Sequence, residues 1–276
     1  MKPLKILIST LSLLLSCLAA AAQPTDIPSC YDITNLAQYK VGITNRQLIV
    51  IVDQTAELDD RLKKSVHEQV DQFIQPGDQV QIVAFSANAK GKYTEILYNG
   101  IFDATLTARI RNSIGKTTLN RFDACMKAQP QAKAKLHRKL SEAYGDETES
   151  FPKTELIGSL LQVGSNIIAN SPSERKVLLI VSDMLENSSI TSFYASNSVR
   201  QIDPTVELQK IVKSGISGDL GGADVYVIGA GFVSKGMAYS SQLALDNLEA
   251  FWNELFSQHN GTLQQFGKPQ LLSPIK

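Results

Sequence analysis

Three uninterrupted apolar runs govern what this chain can fold into. They are Gln47-Leu48-Ile49-Val50-Ile51-Val52-Asp53, Val177-Leu178-Leu179-Ile180-Val181-Ser182-Asp183 and Asp224-Val225-Tyr226-Val227-Ile228-Gly229. A strand with one wet face alternates apolar and polar residues. A strand apolar at every position is covered on both faces, which is the condition inside a parallel sheet. Parallel neighbours need long crossover connections, and helix-spaced apolar residues lie between the runs. Leu58, Leu62, Val66, Val70, Phe73 and Ile74 follow the first run and stop at Pro76-Gly77. Val80 to Phe85 and Tyr93 to Phe102 read as two further strands. Leu156, Ile157, Leu160, Leu161, Ile167 and Ile168 make one helix face, and a short helix is expected near 206–213. Leu243, Leu245, Leu248, Phe251, Trp252, Leu255 and Phe256 belong to a last long helix. Gly261 closes it before a final strand from Leu263 to Phe266. The expected fold is therefore α/β: a doubly wound, mostly parallel sheet with helices on both faces.

Residues 104–153 break that rhythm and read as a helical insertion, with fragments at 105–113 and 131–144. Between Ala104 and Tyr144 the insertion carries nine Lys or Arg against Asp123 and Glu142, in a chain whose 27 basic and 27 acidic side chains cancel. Zero net charge excludes a protein that holds nucleic acid by its overall field. Locally, the insertion is either a solvated hairpin or a docking surface for an acidic protein, anionic lipid or cell-wall polymer. Stacking aromatics there are limited to Phe122 and Tyr144, which disfavours nucleic acid.

The first 22 residues stand apart. Lys2 and Lys5 precede an apolar run from Ile6 to Leu18, and Ala19 to Ala22 follow, the pattern of a bacterial-style secretory signal. Leu14-Leu15-Ser16-Cys17 is similar to a lipobox, although Leu15 is bulkier than that motif usually carries. Lipidation of Cys17 is the one route by which a membrane would enter. Residues 23–46 read as an irregular lead-in. The expected compartment is the periplasm or the exterior. There the two remaining cysteines, Cys30 and Cys125, are expected to pair, since neither has zinc-ligand spacing.

Two of the three apolar runs end in aspartate, at 53 and 183, and the carboxyl ends of parallel strands form the binding edge of such sheets. The strand leading to Asp53-Gln54-Thr55-Ala56-Glu57, and the one leading to Asp183-Met184-Leu185-Glu186, resemble von Willebrand A-type domains. The resemblance covers most of 47–266, within an expected domain of 47–272. It implies a binding domain with a metal-ion-dependent adhesion site, Asp-x-Ser-x-Ser plus a loop threonine and a late aspartate. Carried over, Asp53 and Asp183 are the two aspartates, and Thr55 stands for the first serine. Glu57 replaces the second serine, a departure from the pattern, and Thr154 is the best match for the loop threonine. Two carboxylates and two hydroxyls form a partial oxygen shell for Mg²⁺ or Mn²⁺, while Glu57 adds charge where a partner's acid would bind. In the competing reading, Asp53 and Thr55 only cap the first helix and Glu57 only complements its dipole.

Other motifs fall short. Gly115-Lys116-Thr117 lacks the phosphate-loop glycine, its place being taken by Ile110. Thr55 also stands where a haloacid dehalogenase-type phosphatase needs a second aspartate. His67, His137 and His259 are widely separated, and His67 reads as solvated surface. The expected function is an exported binding module for a protein partner, using a divalent ion, rather than an enzyme. An exported metal-dependent hydrolase and a structural envelope subunit with a decayed ion site remain open beside it.

Overall fold

The computed structural model describes residues 25–40, 45–85, 94–145, 155–195, 198–232 and 241–276. The expected signal, Cys17 and Thr154 lie outside the described residues. In chain order the elements are α1 (Cys30–Ile33), β1 (Arg46–Asp53), α2 (Asp60–Phe73), β2 (Asp78–Phe85) and β3 (Thr94–Ile101). Next come α3 (Ala108–Arg111), α4 (Lys116–Ala128), α5 (Lys133–Ala143) and α6 (Leu156–Val163). After these are β4 (Arg175–Val181), the small hairpin β5 (Tyr194–Ala195) and β6 (Ser198–Val199), then α7 (Pro204–Ser214), β7 (Ala223–Ile228), α8 (Gln242–Gln258) and β8 (Gly261–Phe266).

Six strands form one sheet in the order β3-β2-β1-β4-β7-β8. Every neighbouring pair is parallel except the β2–β3 edge. The apolar runs sit at its centre, as the absence of alternation requires. Leu48, Val50 and Val52 of β1 face one core, with Leu62, Val66 and Val70 of α2 and Leu136 and Leu140 of α5. Ile49 and Ile51 face the opposite core, with Leu160 of α6, Ile211 of α7 and Phe251 and Trp252 of α8. The doubly wound, three-layer arrangement is thus present.

Local chemistry sets the helix ends. Asp59 caps α2 by accepting from the Leu62 amide at 2.8 Å, and the chain then turns through Gly77 at φ +94° after Pro76. Asp203 caps α7 ahead of Pro204, and Ser241 caps α8. The apolar face of α6 continues into a π-helical turn, Gly164–Ile168.

Two regions are more ordered than their sequences imply. The lead-in is a packed strap: the Asp26 amide donates to Asn99 O at 2.7 Å, and the Asn99 amide donates to Asp26 Oδ2 at 2.8 Å. The Ser29 hydroxyl and the Cys30 amide both donate to the buried Asp103 carboxylate. The insertion contains a full helix, α4, between the two expected fragments. Its apolar spacing is diluted by Thr117, Thr118 and Asn120, so periodicity alone does not reveal it. Cys30, Tyr31, Leu36, Leu106 and Phe122 form a third, small core that joins lead-in to insertion. A Cys30–Cys125 disulfide ties the two, with Cα atoms 5.7 Å apart.

Candidate functional site

Asp53 ends β1, and its side chain is 1% exposed at the carboxyl edge of the sheet. Its Oδ1 accepts from the Thr55 amide at 2.9 Å and the Thr55 hydroxyl at 2.6 Å. Its Oδ2 accepts from the Ser182 hydroxyl at 2.7 Å. Asp183, 7% exposed, follows β4, the parallel neighbour of β1. Its Oδ1 accepts from the Leu185 amide at 2.9 Å, and its Oδ2 from the Tyr194 hydroxyl at 2.8 Å. Among the described residues neither carboxylate bonds a lysine, arginine or histidine. Every donor to them among those residues is a hydroxyl or a backbone amide.

Burial raises both carboxylates. Asp53 is held above the usual carboxylate range by desolvation, against the pull of the Thr55 and Ser182 hydrogen bonds. Asp183 is pushed up to about 7, first by burial and then by the charge of Asp53. The pair therefore favours a state in which a proton or a cation offsets part of its charge. Tyr194 is raised as well, by burial and then by the charge on Asp183.

The turn after β4 is held by a small network. Met184 takes φ +62°, unusual for a side chain of its size, and two bonds fix it. Its amide donates to the Ser182 hydroxyl at 3.0 Å, and Trp252 Nε1 of α8 donates to its carbonyl at 3.0 Å. Gly229 at φ +102° lets the end of β7 approach: a Cβ there would lie 2.8 Å from Ser182 O. The Gly231 amide then donates to Asp183 O at 2.8 Å. Glu186, three residues beyond Asp183, is buried and accepts from the Ile157 amide at 2.8 Å at the start of α6. Burial pushes it up to about 7.

Of the sequence-derived site residues, the structure brings Asp53, Thr55 and Asp183 together at one sheet edge. The helix-capping account of Asp53 and Thr55 does not hold, because α2 begins at Asp60 and Asp59 is its cap. Glu57 is exposed in the connecting loop, away from the carboxylates' bonded shell. Sequence reasoning missed Ser182 and Tyr194. Ser182 adjoins an already marked aspartate and could have been inferred from that position. Tyr194 opens the short strand β5 in a stretch with no periodic pattern, and reaches Asp183 only through tertiary folding. The reading of His67 as solvated is also corrected, since it is half-buried against His137.

No group of three or more His, Cys, Asp or Glu side chains among the described residues is placed to hold a metal ion. The donors at the sheet edge are instead two carboxylates with hydroxyls, an all-oxygen set of the type that a hard divalent cation takes.

No protein-family model and no curated protein matches the chain. Among solved structures it is similar to the pilus adhesin SpaC from Lactobacillus rhamnosus GG in an open conformation, with a TM-score of 0.40 and 11% identity. That alignment covers 79% of this chain and 27% of the adhesin, so the chain spans about a quarter of the adhesin's length. It is also similar to an aerotolerance-related membrane protein from Bacteroides fragilis, with a TM-score of 0.39 and 11% identity, over 82% of this chain and 92% of that one. Likenesses this distant carry no argument here; the fold rests on its own strand order.

Proposed function

We propose that this chain is an exported, von Willebrand A-like binding module whose working end is the Asp53–Asp183 edge of the sheet. One observation carries the reading: two almost fully buried carboxylates are delivered by adjacent parallel strands close enough for the charge of Asp53 to raise Asp183, and no basic side chain among the described residues bonds either of them. Folding has concentrated negative charge there and left it to a proton or a cation to balance. Mg²⁺ or Mn²⁺ bound there would neutralise the pair and offer open coordination positions to an acidic oxygen of a protein partner. The chain's own residues do the rest. Thr55 and Ser182 orient Asp53, Tyr194 and the Leu185 amide orient Asp183, and exposed Glu57 adds charge in the loop that follows β1. Thr154 enters this proposal as a further hydroxyl ligand.

The disulfide supports an oxidising compartment, periplasmic or extracellular. No helix among the described residues is long and apolar enough to cross a membrane. The insertion supports an acidic partner. Lys133, Lys135, Lys139 and Arg111 are ion-paired within the chain, while Arg109, Lys116, Arg121 and Lys127 are exposed and without an ion pair among the described residues.

Thermal melting of chelator-treated protein tests the ion. Millimolar Mg²⁺ or Mn²⁺ is expected to raise the midpoint of the parent and not that of Asp53→Ala; an ion at a hundred times its Kd contributes about 2.7 kcal/mol. An unchanged parent midpoint would favour the second reading, a structural subunit. That reading has its own observation, since every oxygen of both carboxylates already accepts a protein hydrogen bond.

A further inference from the structure

The chain has three histidines, and the fold brings two of them together between α2 and α5. His67 of α2 and His137 of α5 meet with their Nδ1 atoms 2.7 Å apart, rings tilted by 32°. On its far side, His137 Nε2 lies 3.0 Å from Asp71 Oδ2. This geometry assigns the protons. Nε2–H of His137 donates to the Asp71 carboxylate, so its Nδ1 holds a lone pair and accepts from Nδ1–H of His67.

One added proton leaves the contact intact. One ring is then an imidazolium that donates from Nδ1 to the bare Nδ1 of the other, neutral ring. A second proton sets N–H against N–H at 2.7 Å and places two cations side by side. At that point the contact cannot persist. The separation is also shorter than two nitrogens bound to one zinc ion would show, about 3.3 Å for tetrahedral bonds near 2.0 Å, so the pair is built for a proton.

We propose that the His67–His137 contact is an acid-released latch fixing the insertion helix α5 against α2. The surrounding charges make the second proton unfavourable without excluding it. From α2 come Asp71, which also pairs with Lys133 of α5 at 3.2 Å, and Lys63, whose Nζ lies 5.7 Å from the Tyr144 ring. Tyr144 itself sits 6.2 Å from the His67 ring. The carboxyl-terminal tail meets α2 through the Ile275 amide on Gln69, with Lys276 exposed beyond it. Burial, and then the charge of His137, hold His67 below the usual imidazole range, and Asp71 acts the other way. Leu136 and Leu140 stay buried on the same helix, so acid loosens α5 without detaching it. The latch is independent of what the carboxylate edge binds.

Two measurements on the whole protein test it: imidazole nitrogen NMR through a pH titration, and hydrogen exchange followed by mass spectrometry. The pair is expected to take up its two protons in separate macroscopic steps. Protection of α5 amides, corrected for intrinsic rates and compared with β1, should fall about tenfold between pH 7.5 and pH 5, the equivalent of one unit of differential proton affinity. In His67→Gln and in His67→Phe that pH dependence should vanish. Independent titration of both rings, or α5 protection that does not change with pH in the parent, overturns the proposal. So does a rise in melting midpoint with equimolar Zn²⁺ that His137→Gln abolishes, which would make the pair a metal site.

Discussion

Asp53 and Asp183 repel when both are ionised, and among the described residues the groups bonded to them are hydroxyls and amides. The sign of the resulting pH dependence follows from the direction of the shift. Asp183 is raised, to about 7, so the folded state holds its proton more tightly than the unfolded chain does. Its favourable contribution is fully present below the unfolded value and is lost as pH rises through about 7. Without added metal, Asp183→Asn is therefore expected to flatten the fall in melting midpoint between about pH 4 and pH 7, and to leave the variant more stable than the parent above that range. The difference should be on the order of a few kcal/mol, because one pKa unit corresponds to about 1.4 kcal/mol. A parent midpoint independent of pH over that range would contradict the coupling. The two aspartates were legible in sequence because each closes an apolar run; Tyr194 was not, because no local pattern links position 194 to position 183.

At the scale of elements, the insertion and lead-in share a small core, are joined to each other by the Cys30–Cys125 bridge and the Lys135–Asp26 pair, and are fastened to β3 of the sheet through Asp26 and Asn99. The bridge closes a loop across a sequence separation of 95 residues, for which the chain-entropy model gives up to about 4–5 kcal/mol. Replacing both cysteines by serine should lower the denaturant midpoint by a corresponding amount while the strand signal in circular dichroism persists, since the two large cores do not include these residues. Loss of all cooperative structure would mean that the sheet depends on the strap. The pairing itself was readable by elimination. The helix α4 was not, because its buried side, centred on Phe122, is sparse and closes against Tyr31 of the distant lead-in.

Across the whole molecule, titrating groups with opposed signs confine maximum stability. Glu186 and Asp183, both raised to about 7 by burial, penalise the alkaline side. His67, held low by burial, penalises the acid side: its contribution is present above the unfolded imidazole value and is lost as pH falls below it. Glu207, which bonds Thr191, Lys210 and Arg200, and Asp71 are both lowered, so they add stability above the unfolded carboxylate value and lose it toward stronger acid. The two raised acids lose their contribution between the unfolded carboxylate value and about 7, so a melting midpoint that falls from about pH 5 to about pH 7 and levels off above it is the expected profile in metal-free buffer. Stability that rises from pH 5 to pH 7 would show that the buried acids are compensated.

The sequence by itself determined the layers, the parallel sheet and the edge at which Asp53 and Asp183 emerge. Those properties follow from strand burial and the direction of parallel chains, both written in consecutive residues. Only the tertiary structure decided what each carboxylate touches. Ser182 reaches Asp53 across 129 positions, Tyr194 crosses from a separate hairpin, and His67 meets His137 across 70. Such contacts depend on how distant elements are rotated and spaced when their apolar faces pack, and hydrophobic periodicity records which face is buried without recording what lies opposite it.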